Sequence, residues 1–327
     1  MKALNSFSGQ VLTATTALLL PLFTWVLSSQ FSTQPMITPL NDNMLNLNLR
    51  GRDFLIVGGM EGLGASLAKE LNNRGGIVTV TGTSHGHFLQ HLPRSIEQIH
   101  ANTSTMRGAQ DLATYILQGR KFDTVVFTGG FVPRPLVFAS GEGSEEDIQT
   151  AYLSRFIILR ELIKNEALVG RKRVYIVAYP GEDHMLTEYE DMWFGWPDHK
   201  TIPSYINTVL FNDGLIKEAA RRYPDLKVFG VNPGFLSGRG ASDLHWEQRH
   251  LLSRMFDWLF TIGIKSPEQY VRNALIQIIG SADLDTKSGA YINDKMEELP
   301  PKRWFQKESN RIHVWENSEK MVGMALG

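Results

Sequence analysis

From Arg50 onward, short apolar runs of strand length alternate with stretches whose apolar residues recur at three- and four-residue spacing. Asp53–Gly58 (DFLIVG) reads as a first strand ending in glycines, and Leu63–Arg74 follows with Leu63, Leu67, Ala68 and Leu71 on one helical face. Ile77–Thr81 (IVTVT) is β-branched and strand-like, a third strand is expected near Ile96–Ala101, and a helix runs through Ala109–Leu117. Asp123–Thr128 (DTVVFT) runs into Gly129-Gly130, and a long helix is expected at Glu145–Asn165. Val174–Ala178 is a fifth strand and Tyr205–Arg222 a helix. Lys227–Val231 is a sixth strand leading into Asn232-Pro233-Gly234, and Gly289–Ile292 a seventh. Such alternation predicts an α/β fold: a Rossmann-type, doubly wound parallel sheet of about seven strands with helices on both faces, spanning residues 50–327.

The first 49 residues break this pattern. After Lys2 no charge occurs until Asp42, and Val11–Leu27 reads VLTATTALLLPLFTWVL. A polar start, an apolar run and then Ser28-Ser29 fit a secretory signal peptide or an uncleaved anchor, which would address the chain to a membrane or the endoplasmic reticulum. The run is 17 residues long and contains Pro21, short of the roughly 20 a spanning helix needs. A leader or an extra apolar helix packed on the domain therefore stays open, in which case the chain reads as cytoplasmic. Residues 28–49, rich in Ser, Thr, Asn, Gln and Pro, read as a linker.

A net charge of -1 provides no basic field of the kind nucleic-acid binding requires. The one basic run, Arg171-Lys172-Arg173, reads as a solvated edge ahead of the fifth strand. Absence of cysteine excludes disulfides, thiolate catalysis and sulfur-based zinc sites, and no metal site is expected.

Candidate chemistry begins at Val57-Gly58-Gly59-Met60-Glu61-Gly62-Leu63-Gly64, a G-x-x-x-G-x-G spacing between strand one and helix one. Glycine permits the tight turn, lets backbone N–H groups approach a pyrophosphate, and leaves the positive helix N-terminus open to it. This loop, the order of elements and the Asn-Pro-Gly after strand six resemble the short-chain dehydrogenases/reductases over about residues 50–325. Ser288-Gly289-Ala290-Tyr291-Ile292-Asn293-Asp294 and Val314-Trp315-Glu316-Asn317-Ser318-Glu319-Lys320-Met321-Val322-Gly323 are similar to the retinol-dehydrogenase-like branch. Tyr152-Leu153-Ser154-Arg155 and Phe211-Asn212-Asp213 resemble a divergent subgroup of fungi and other microbial eukaryotes.

The resemblance implies NAD(P) held by Gly58, Glu61, Gly62, Leu63, Gly64, Thr83, Ser84, Asn102, Thr128, Gly129, Gly130, Pro233 and Gly234. Thr81-Gly82-Thr83-Ser84-His85 lacks the acid that would bind the ribose hydroxyls of NAD, which favours NADP, although no Arg stands ready for its 2′-phosphate. Asn102 falls where the family carries an adenine-contacting Asp. It also opens a glycosylation sequon, Asn102-Thr103-Ser104, that a place in the cleft argues against.

At the catalytic positions the chain departs from the family. The family needs a Tyr that passes a proton to the carbonyl and a Lys four residues later that lowers its pKa. Here Tyr205 is followed at that spacing by Val209. The helix-four Asn aligns with Ala151, and the Ser after strand five with Tyr179, or with Ala178 in the neighbouring register. Tyr205 is thus the principal catalytic candidate, with Tyr179 as a second hydroxyl and Arg155 as a substitute charge. The blander reading makes Arg155 a helix–helix or dimer contact, and Lys217 lies too far along the helix from Tyr205. Asp183-His184 and Asp198-His199 are Asp-His neighbours in the insertion before Tyr205, where Trp193, Phe194 and Trp196 would make an apolar lid, a core patch or a membrane-facing surface. Two functions follow as expectations: an NAD(P)-dependent oxidoreductase of a lipophilic alcohol or carbonyl, or a dinucleotide-binding pseudoenzyme acting as sensor, scaffold or partner subunit. The resemblance also implies a homodimer paired through Glu145–Asn165 and Tyr205–Arg222.

Overall fold

The computed structural model describes residues 36–38, 48–82, 92–129, 148–181, 201–234, 236–237 and 265–327, with side chains of the 201–222 helix described from Thr208 onward. At its centre is a sheet of β1 (Asp53–Val57), β2 (Ile77–Gly82), β3 (Glu97–His100), β4 (Phe122–Phe127), β5 (Leu168–Val177), β6 (Lys227–Val231), β7 (Tyr291–Ile292) and β8 (Glu298–Leu299). The spatial order is β3-β2-β1-β4-β5-β6-β7-β8. Strands β1 to β7 pair in parallel and β8 closes the edge antiparallel to β7. This is the expected doubly wound fold, with chain order reversing between β1 and β4. The eighth strand was not expected, because two residues carry no legible alternation.

Helices fill both faces. They are α1 (Gly62–Asn73), α2 (Met106–Ile116), α3 (Ser154–Lys164, entered through a π turn at Gln149–Leu153) and α4 (Thr201–Arg222). Pro267–Tyr270, the π turn Val271–Leu275 and Ile276–Gly280 run on as α5, followed by α6 (Arg303–Gln306) and α7 (Glu308–Leu326). The strands divide their side chains by the two-residue period between two cores. Leu55, Val125, Phe127 and Ile176 face the core of α2, α3, α4 and α7. Phe54, Ile56, Val126 and Tyr175 face that of α1 and α5.

Met36, Ile37 and Leu49 are buried in this second core, and the Met36 amide donates to Met296 O at 2.8 Å. Part of the polar stretch read as a linker is therefore built into the fold. Val11–Leu27 lies outside the described residues, and among the described residues no helix is long and apolar enough to cross a membrane. Helix α7 lies over both helices expected to pair two subunits. Trp315 meets Phe156 edge-on at 5.0 Å, Glu319 pairs with Arg160 at 3.1 Å, and Glu308 with Arg221 at 3.4 Å.

The basic run is not a solvated edge. Arg171-Lys172-Arg173 lies inside β5, and Arg173 is fully buried. A helix leaves its last carbonyls without partners, and those of α5 end here. Tyr175 Oη donates to Ile278 O at 3.2 Å, Arg173 Nη1 to Ile279 O at 3.0 Å and Arg171 Nη1 to Gly280 O at 3.1 Å. Cations suit the negative end of a helix, and Arg173 also pairs with Asp285.

Candidate dinucleotide cleft and active site

The loop after β1 is pinned on both sides. Gly58 and Gly59 N–H both donate to Thr81 O of β2 at 2.9 Å, and Val57 O accepts the Thr128 amide at 2.8 Å. Thr128 Oγ1 donates to Gly58 O at 3.1 Å. This closeness needs glycine. A Cβ on Gly58, whose φ is +89°, would collide with the Gly129 backbone, and one on Gly64 with Gly58 O and Thr128 Oγ1. Gly62 differs: its φ is +50°, it is exposed, and a Cβ there would meet nothing within 4 Å. Glu61 is the N-cap of α1 without a side-chain cap bond, and no acid stands in the first turn. The α1 N-terminus thus opens beside the β1–β4 reversal without a side-chain cap. Backbone and charge fit a pyrophosphate.

Of the remaining expected cofactor contacts, those among the described residues lie on the same edge of the sheet. Gly129 follows β4 directly against Gly58. Asn102 lies beyond β3, exposed, with its Oδ1 accepting from Ser104 N at 3.0 Å and Ser104 Oγ at 2.7 Å. Pro233 and Gly234 are buried after β6, where Gly234 adopts φ +64° and its amide donates to Asn232 Oδ1 at 3.0 Å. Thr83, Ser84, His85 and Gly130 lie outside the described residues. So do Asp183-His184, Asp198-His199 and the aromatics Trp193, Phe194 and Trp196.

At the catalytic positions, Tyr205 lies in the first half of α4, and side chains of that helix are described only from Thr208. Val209 and Ala151 are buried. The Tyr179 hydroxyl donates to Gly234 O at 3.2 Å, tying the loop after β5 to the loop after β6, and burial raises its pKa. A hydroxyl so engaged serves as a bridge between loops. Arg155 is 1 % exposed, and of the two bland readings it fits the helix–helix contact, because it bonds across from α3 to α4. Its Nη2 donates to Gly129 O at 2.5 Å and its Nη1 to Asn212 Oδ1 at 3.0 Å. Asn212 Nδ2 in turn donates to Thr208 O at 2.6 Å and to Ala151 O at 2.9 Å, spanning α4 and the π turn. Burial pushes the Arg155 guanidinium down to about 9.

The subgroup motifs converge here. Tyr152 packs on Phe211 with ring centroids 5.1 Å apart, and its hydroxyl meets Ser318 Oγ of α7 at 2.7 Å. Tyr291 Oη donates to Asp213 O at 3.0 Å. The fully buried Asp213 carboxylate accepts from Lys302 Nζ at 2.8 Å and from the Gly181 amide at 3.2 Å, and Lys302 also donates to Tyr179 O at 3.2 Å. Sequence reasoning missed Lys302. It follows Pro300-Pro301, 89 residues after Asp213, with no local pattern to mark it. Among the described residues no cluster of His, Asp or Glu could hold a metal.

An exposed, uncapped helix N-terminus behind a glycine turn, at the carboxyl edge of a β3-β2-β1-β4-β5-β6-β7 parallel sheet, defines a dinucleotide cleft of the short-chain dehydrogenase/reductase fold. No family model matches the chain. An uncharacterised oxidoreductase of Saccharomyces cerevisiae is 25% identical over 298 residues, covering 89% of this chain and 94% of that protein. The oxidoreductase calI of Penicillium decumbens is 22% identical over 307 residues, covering 83% and 87%. Among solved structures, the aldohexose dehydrogenase of Thermoplasma acidophilum matches at TM-score 0.57 and 15% identity, over 76% of this chain and 95% of that one. A short-chain dehydrogenase/reductase of Serratia marcescens matches at TM-score 0.53 and 15% identity, over 76% and 99%.

Proposed function

We propose that this chain is an NAD(P)-dependent oxidoreductase of the short-chain dehydrogenase/reductase type that acts on a lipophilic alcohol or carbonyl. The observation that carries the reading is the cradle of Gly58, Gly62 and Gly64 beneath the open N-terminus of α1. The oxidoreductases of yeast and Penicillium, which align over most of their length, support it. When bound, the nicotinamide supplies the hydride acceptor or donor. Gly58 and Gly64 would close the tight turn, Gly62 would leave room for the pyrophosphate, and the α1 N–H groups would bind it. Tyr205 is the proposed proton donor, and the Trp193–Trp196 insertion the proposed apolar wall for substrate. The run Thr81-Gly82-Thr83-Ser84-His85, with no acid, supports NADP over NAD.

A second reading is favoured by one specific feature: the buried, apolar Val209 stands where a charged amine would lower the Tyr205 pKa. On that reading the chain binds the dinucleotide and turns nothing over. Titration of NADPH and NADH by nucleotide fluorescence, followed by a panel of apolar alcohols and carbonyls, separates the two. The oxidoreductase reading expects binding and a turnover that falls at least about a hundredfold in Tyr205→Phe. Binding with no turnover on the panel decides for the second, whereas turnover that Tyr205→Phe leaves unchanged keeps the oxidoreductase and removes Tyr205 as its proton donor. No binding of either nucleotide defeats both.

A further inference from the structure

The family pattern puts an amide at position 151, in the π turn that opens α3, and a cation at position 209 on α4. This chain has Ala151 and Val209 there. Yet both chemical groups occur, one turn further along each helix and exchanged between them: the cation is Arg155 on α3 and the amide is Asn212 on α4. They touch each other, and each is buried.

We propose that Arg155 and Asn212 form a positioning pair that holds the floor of the dinucleotide cleft and the Tyr205-bearing helix in one fixed arrangement. The inference rests on the dinucleotide reading above.

Four hydrogen bonds carry it. Arg155 Nη2 holds the Gly129 carbonyl at 2.5 Å, and the Gly129 backbone is the surface against which Gly58 packs with no room for a Cβ. A rotated Gly129 peptide would therefore press on the phosphate loop directly. Arg155 Nη1 is held in turn by Asn212 Oδ1, and the planar fork of a guanidinium fixes the angle between these two bonds. Asn212 Nδ2 bonds Thr208 O within α4 and Ala151 O in the π turn, so it ties α4 to α3 two turns beyond Tyr205. The π turn at Gln149–Leu153 is the local irregularity that this bridge fastens. Phosphate loop, β4 end, α3 and α4 thereby meet at one guanidinium.

The test compares NADPH dissociation constants and melting temperatures of Arg155→Met, Arg155→Lys and Asn212→Ala, all measured well below the melting transition. Arg173→Met serves as a control, because Arg173 is equally buried but bonds the far end of α5. Arg155→Met is expected to weaken NADPH binding by about ten- to a hundredfold, because the Gly129 peptide that backs the phosphate loop is no longer held in place. Lys, which keeps a charge but lacks the fork, is expected to restore only part of the affinity, and Asn212→Ala to fall between. Arg173→Met is expected to melt earlier with its affinity unchanged. Should Arg155→Met fail to fold, Arg155→Lys and Asn212→Ala decide on the same readout. Equal NADPH affinity in wild type and the Arg155 and Asn212 variants, with only the melting temperature moved, overturns the inference and leaves the dinucleotide reading standing. A wild-type chain that binds neither nucleotide overturns both.

Discussion

Arg155 and Arg173 are buried alike, but they sit at opposite ends of the parallel sheet and are held by opposite means. Arg173, toward the amino end of β5, completes the carbonyl-rich end of α5 and pairs with Asp285. Burial works to lower its guanidinium, but Tyr175 and Asp285 outweigh burial and keep it above its ordinary value. Arg155, beyond the carboxyl end of β4, bonds a peptide oxygen and an amide oxygen, and burial pushes it down to about 9. One end of the sheet uses its buried charge to finish a helix. The other retains an electrostatic cost at the edge where α/β sheets bind ligands. A local inconsistency at such an edge is where function is expected.

The sharpest way to break this contrast is at the glycines of the carboxyl end. Gly64→Val puts side-chain atoms onto Gly58 O and Thr128 Oγ1. It should cost on the order of 3 kcal/mol or more, because backbone rather than a flexible side chain must move. Urea denaturation is the measurement, and a loss under about 1 kcal/mol would mean the β1–β4 contact is looser than its geometry.

Next in size is Lys302→Met. Burial holds the Asp213 carboxyl above its ordinary range, and Lys302 partly offsets this. A carboxyl with a raised folded pKa costs stability once pH exceeds its unfolded value, because the unfolded chain releases the proton first. Removing Lys302 enlarges that cost, to about 3–5 kcal/mol near neutral pH. As pH falls toward 4 and below, Asp213 is protonated in both states and the deficit of the variant should shrink. Urea midpoints at pH 4 and 7.5 check the sign. An equal deficit at both would mean that Lys302 contributes through packing and not through its charge.

Arg173→Met follows at about 2–3 kcal/mol, because it strands Ile279 O in the core and takes the Arg173 donor from the Tyr175 hydroxyl, which keeps only its bond to Ile278 O. It sharpens the comparison only if its cost is confined to stability. A matching loss of nucleotide affinity would show the two ends of the sheet to be coupled.

How much of this could be read beforehand follows the range of the interactions. Alternation of apolar runs, the glycine turn and Asn232-Pro233-Gly234 are signals within a few residues, and the doubly wound sheet and its cleft followed from them. The misread basic run shows the limit. Charges are solvated by default, and only the meeting of β5 with the end of α5, more than 100 residues later, makes Arg173 a buried cap. Lys302 and Asp213 are likewise 89 residues apart. Arg155 and Asn212 both lie within local motifs, but their bond spans 57 positions and no periodicity encodes it. The π turn before α3 leaves no mark in the helical spacing either, which continues through Tyr152 and Phe156.

The smallest expected change in the fold is the most informative about the cleft. Gly62 shares a positive φ with Gly58, but a Cβ on it finds open space where Gly58 finds the Gly129 backbone. Gly62→Ala should therefore cost only about 1 kcal/mol, the strain of a side chain in the left-handed region. The added methyl meets no atom of the described protein, so any further effect must come from what binds beside α1. If a pyrophosphate lies on the α1 N-terminus, NADPH affinity falls at least about tenfold, because the backbone can no longer approach it closely. If affinity is unchanged while Gly64→Val abolishes it, the glycines serve packing alone and the phosphate sits elsewhere on the edge. Fluorescence titration of both variants, beside their urea midpoints, separates a loop made of glycine for the fold from one made of glycine for a ligand.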